Sequence, residues 1–100
     1  MAYRITALAK EQIIEHYIYG LKAFGQKQAD EYVTELHDCF DLLANQPELA
    51  RLREEYDPPV RVHHHGKHYV VYQIIDGASD ISIVAVLREE SDLARHPRGI

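Results

Sequence analysis

Polar and apolar residues alternate at the start of the chain, then recur at intervals of three and four, then alternate again. Tyr3, Arg4, Ile5 and Thr6 have the two-residue period of a short strand. Thr6 suits a helix N-cap, although Ala9 three positions on denies it the reciprocal carboxylate of a capping box. Ile13, Ile14, Tyr17, Ile18, Leu21 and Phe24 then fall at helical spacing, with Glu11, Glu15 and Lys22 on the other side. Gly25 is a natural helix terminator. A second helix opens at Gln26 and is carried by Ala29, Tyr32, Val33, Leu36, Cys39, Phe40 and Leu43. Its opposite face holds Asp30, Glu31, Glu35, Asp38 and Asp41, and Pro47 stops it. At about 1.5 Å per residue it spans roughly 30 Å. A joint as short as Gly25 permits only an antiparallel helical hairpin.

Residues 48–59 read as a linking segment whose Pro58 and Pro59 lead an extended backbone into the sheet. Residues 60–65 form a strand, Gly66-Lys67 a tight connection, and residues 68–75 the longest apolar run, too rich in β-branched and aromatic side chains for helix. Residues 76–80 make a hairpin loop and 81–87 pair back. Residues 88–100 form a charged C-terminal tail on a single domain spanning 1–100. The order β-α-α-β-β-β predicts an α+β fold, a helical hairpin packed on one face of a small antiparallel sheet. Alternation puts His68, Val70, Tyr72 and Ile74 on one face of the long strand and Tyr69, Val71, Gln73 and Ile75 on the other. Both sets are largely apolar. One face takes the helices, and the other is expected to need a second partner.

Composition narrows the possibilities. No apolar run approaches the ~20 residues of a membrane span, and charge interrupts the N-terminus where a signal peptide would be apolar. A soluble, cytoplasmic chain is expected. The single Cys39 cannot form an internal disulfide, and its neighbours Leu36, Phe40 and Leu43 predict a buried thiol. The net charge of −5 is unevenly placed: residues 1–57 carry six basic and eleven acidic side chains, and 58–100 carry five of each. This is no basic patch, which counts against autonomous nucleic-acid binding.

Polar groups capable of chemistry gather on the sheet. If Arg61, His63 and His65 share a strand face, they converge near Arg88 at the end of the last strand. Such a group could offset phosphate charge, but Glu89, Glu90 and Asp92 beside Arg88 oppose it. His63, His65 and His68 make a three-nitrogen zinc site conceivable. No Cys accompanies them, no carboxylate ligand is obvious nearby, and hydrogen bonding at the sheet surface or to a partner accounts for them better, so no metal or cofactor is expected. Tyr17, Tyr32 and Tyr72 fall at core spacing, whereas Tyr19 lies off the main stripe and should be exposed. Ser79 and Ser91 lack a His–acid pair, so nucleophilic catalysis is not supported.

Three stretches, FGQKQADEYVTEL, REEYDPPVRVHHHGKHYVVYQI and IVAVLREESDLARHP, together with the order of elements, resemble the ParE toxins of the ParE/RelE superfamily. The resemblance covers nearly the whole chain. It implies a cytoplasmic, non-enzymatic toxin that traps the cleaved-DNA complex of DNA gyrase and forms a hetero-oligomer with a ParD-like antitoxin. The implied alternatives are a RelE-like ribosome-dependent mRNA endonuclease and a non-toxic antitoxin-binding regulatory module. The target surface expected on this basis comprises Arg61, His63, His65, Arg88, Glu89, Asp92, Arg95 and His96. The antitoxin surface comprises Tyr19, Tyr69, Val71 and Gln73. Arg88 stands where many relatives carry a histidine, which disfavours a titratable ring at that point.

Overall fold

The computed structural model describes residues 3–75 and 80–88. Its elements are β1 (Tyr3–Ile5), α1 (Ala7–Phe24), α2 (Gln26–Asn45), β2 (Leu52–Arg53), β3 (Val60–His65), β4 (His68–Ile74) and β5 (Ile81–Arg88). Thr6 starts α1 as expected: its hydroxyl oxygen accepts the Ala9 N–H at 3.2 Å. The same hydroxyl donates to the Val84 carbonyl at 2.9 Å, and the Thr6 N–H donates to the Ile83 carbonyl at 3.1 Å. One residue thus caps the helix and closes the β1 end of the sheet.

Gly25 joins the helices alone. Its N–H bonds to Leu21 O, its carbonyl accepts from Ala29 N, and its φ of +95° lies where a Cβ would be strained. The inward residues of α2, Ala29, Leu36, Cys39, Phe40, Leu43 and Ala44, repeat at the helical period, and the carboxylates lie opposite in solvent. Burial pushes the Cys39 thiol up to about 11, so it stays protonated and inert at neutral pH.

The sheet order is β1-β5-β4-β3-β2. β1 runs parallel to β5 while the other pairs are antiparallel, so the sheet is mixed rather than wholly antiparallel. The parallel pairing follows from α1 and α2 carrying the chain across the helical layer before the sheet is completed. Gly66 has φ +59° and Lys67 has no positive φ, the pattern of a two-residue hairpin with glycine first. Between β4 and β5 the register slips: Val71 faces Ala85 and Tyr72 faces Ile83, which leaves Val84 as an extra, bulged residue.

Two cores result. On the helical side, Val70, Tyr72, Ile81, Ile83 and Val86 meet Ala9, Leu36, Phe40 and Leu43. On the other side, Tyr56, Val60, Val71, Ala85 and Leu87 cluster with Val62 and Val84. The second face, expected to need a partner, is therefore covered by the chain's own segment ahead of β3. Strand side chains anchor the turn that leads into that segment, on the helical side of the sheet. The Tyr72 hydroxyl donates to Pro47 O at 2.8 Å and accepts from Ala50 N at 3.3 Å, and Arg61 donates to Ala50 O at 2.6 Å.

Candidate functional site

Strand alternation brings Arg61, His63 and His65 to the helical face of β3, as expected, but register separates them. His65 pairs with His68 and His68 with Arg88, so these three form one row across the sheet. Arg61 pairs with Tyr72, four residues along the strand from His65, roughly 13 Å away. Its guanidinium is spent on the Ala50 carbonyl. The expected convergence of Arg61 with Arg88 is therefore corrected: Arg61 fastens the turn after α2. His63 lies between, opposite Val70, and its pKa is held below the usual value by burial and then by His65 and His64.

At the His65–His68–Arg88 end, α1 and α2 supply aromatic rings. His68 lies 4.4 Å from the His16 ring and 5.1 Å from the Tyr32 ring, centroid to centroid. Arg88 sits over the Tyr19 ring at 5.4 Å. Tyr19 is 58% exposed, as expected, and meets Phe24 edge-on. Among the described residues the Tyr32 hydroxyl is buried without a hydrogen-bond partner, and burial raises its pKa strongly. Sequence reasoning gave His16 no role. The available signal was a polar side chain interrupting the inward stripe of α1 between Ala9 and Gly20. Glu89, Asp92, Arg95 and His96 lie outside the described residues.

The residues expected to form an antitoxin surface are likewise not brought together. Val71 is fully buried beneath Tyr56 and Val60 and cannot meet a partner in the folded chain. Gln73 donates to Pro59 O at 3.1 Å, which ties down the covering segment. Tyr69 remains partly accessible, stacked on His64 at 5.0 Å. The larger apolar surface is helical. Ile14, Ile18 and Leu21 are 57%, 44% and 39% exposed and stand at i, i+4 and i+7 on α1. Ile14, at the head of this line, also borders a shallow groove between α1 and α2 lined with Ile13, Tyr17, Val33, Thr34 and Asp30. Asp30 also borders a second shallow depression on α2, lined with Lys27, Glu31, Thr34 and Glu35, where carboxylates outnumber the single cation. The expected helical stripe was thus divided: Ile13 packs on the core, while Ile14 and Ile18 face outward.

The sequence and the fold both have counterparts among known proteins. The ParE toxin family of the type II toxin–antitoxin system parDE matches residues 3–93. Toxin ParE1 of Mycobacterium tuberculosis, in strains CDC 1551 / Oshkosh and ATCC 25618 / H37Rv, is 28% identical over 94 residues, covering 94% of this chain and 95% of the relative. The solved structure of a chromosomal ParDE TA system from P. aeruginosa superposes with a TM-score of 0.70. It has 20% identity and covers 90% of this chain and 97% of that one, a likeness of fold. A two-helix hairpin on a five-stranded sheet, matched by sequence over almost its full length, makes this chain a member of the ParE toxin family of type II toxin–antitoxin systems.

Proposed function

We propose that the chain is a toxin that inhibits DNA gyrase by binding and trapping its cleaved-DNA complex, and that a ParD-like antitoxin neutralises it. The observation that carries the partner reading is the exposed Ile14–Ile18–Leu21 stripe beside the α1–α2 groove. An apolar line at helical spacing next to a groove suits an amphipathic helix laid across it. Asp30, Glu31 and Glu35 outnumber Lys27 beside the groove and favour basic residues flanking that helix. Tyr19 and Tyr69 lie outside the groove and would serve as secondary contacts.

Action by binding rather than catalysis is supported by the dispersal of the sheet cations. Stabilising an RNA-cleavage transition state calls for several converging cations. Here Arg61 holds the Ala50 carbonyl at one end of the sheet, and Arg88 lies over Tyr19 at the other. The net charge of −5 points the same way.

The test is a gyrase supercoiling and cleavage assay with the purified chain, with and without its antitoxin. Accumulated linear DNA, suppressed by the antitoxin, is expected. Cleaved transcripts with gyrase untouched would establish the RNA-cleaving alternative instead. When the chain is induced in cells, absence of growth arrest with antitoxin binding retained would leave a regulatory module. Ile14→Glu with Ile18→Glu should abolish neutralisation while toxicity persists.

A further inference from the structure

The last strand outruns the strand beside it. β1 pairs only with Ile81, Ser82 and Ile83, so the outer edge of β5 from Val84 onward has no neighbouring strand among the described residues. Helix α1 and its N-cap Thr6 take that place with side chains. Thr6 Oγ donates to Val84 O at 2.9 Å, the Val86 N–H donates to Gln12 Oε1 at 2.8 Å, and His16 Nε2 donates to Val86 O at 2.9 Å. A carbonyl only accepts, so His16 carries its proton on Nε2. Tyr19 continues the line to Arg88. Gln12, His16 and Tyr19 stand at i, i+4 and i+7, one face of the helix running along one strand edge.

What this arrangement guards against can be read from the strand. Residues 81–87, ISIVAVL, contain no charge and no proline and are mostly β-branched, the composition of segments that pair with copies of themselves. Val86 directs both its N–H and its carbonyl outward, and the Val84 carbonyl does so two residues earlier. Two such strands related by a two-fold axis at Val86 would exchange N–H···O=C bonds between the two Val86 residues. The same axis would set Val84 opposite Arg88. We propose that Gln12 and His16 form a built-in guard that occupies the outer edge of β5, and that the partner they exclude is β5 of a second copy of this chain.

The experiment compares the full chain with its Gln12→Ala/His16→Ala double variant. Helical circular dichroism should be retained and the self-association constant, measured by sedimentation, should tighten by at least about tenfold. At low concentration the Val86 amide should exchange with deuterium roughly tenfold faster than in the parent, and regain protection as concentration rises. His16→Gln, whose amide can still donate to Val86 O, should sediment as the parent does. A folded double variant that associates no more than the parent overturns the proposal. So does a His16→Gln variant that associates as strongly as the double one, since helix packing rather than edge bonding would then be at work. If the double variant loses its fold, Gln12→Ala alone, which bares only the Val86 N–H, is judged by the same two readouts.

Discussion

The hydroxyl of Tyr72, in the middle of the sheet, donates to the carbonyl of Pro47 just beyond α2 at 2.8 Å. The same oxygen accepts the Ala50 N–H, and Arg61 takes the Ala50 carbonyl. Three backbone groups of the turn after α2 are thus satisfied by two side chains from adjacent strands. Tyr72→Phe should cost about 1–3 kcal/mol in urea unfolding, because it strands two groups in a partly buried place. Arg61→Ala should be non-additive with it, since both hold one turn. Additive losses would show the two contacts to be independent.

Val71 tests the second core. It is fully buried among Tyr56, Val60, Ala85 and Leu87, so Val71→Asp should cost at least about 2 kcal/mol by burying an unpaired charge. A fully stable Val71→Asp variant, measured by thermal unfolding, would mean that the segment ahead of β3 lifts easily from the sheet.

Tyr32 tests the opposite sign. Its hydroxyl is buried and unpartnered among the described residues, so Tyr32→Phe removes a desolvated group without removing a hydrogen bond. The variant should be neutral or more stable by up to about 1 kcal/mol. A clear loss of stability on denaturant titration would reveal a bonded hydroxyl.

His63 sets a pH dependence. Burial, then His65 and His64, hold its folded pKa below the unfolded value of 6.5. Below about pH 6.5 the unfolded chain therefore takes up a proton that the folded chain resists, and stability falls until pH passes the depressed folded pKa. Above the unfolded value the contribution is constant. His63→Gln should flatten the stability profile on the acid side of about pH 6.5, read as denaturation midpoints across the range. An unchanged slope would assign the acid sensitivity to other groups.

The helical hairpin was legible because its punctuation is local: Thr6 begins it, Gly25 folds it and Pro47 lies just past its end. The parallel pairing of β1 was not legible, since its partners lie 78 residues away and nothing near Tyr3 specifies direction. Nor was the cover on the outer face. Residues 48–59 look polar, and Tyr56 alone supplies the apolar mass that matters there. The shared face of Arg61, His63 and His65 followed from alternation. Which of them meets Arg88 depends on the Gly66 turn and the Val84 bulge, and both depend on pairing rather than on period. Gln12 and His16 went unnoticed because a polar residue on an inward helix stripe is legible only once its backbone partner is in view.

The cover that this chain folds over its own sheet has an evolutionary corollary. With Tyr56 and Val60 sealing the far side, the side chains that hold the protein together and the apolar side chains left exposed on α1 occupy different addresses. On the proposed reading, exchanges at Ile14, Ile18 or Leu21 would redirect recognition without loosening the interior. A lineage carrying many copies of such a protein could therefore diversify its pairings one helix turn at a time, each newcomer still folding as its parent did.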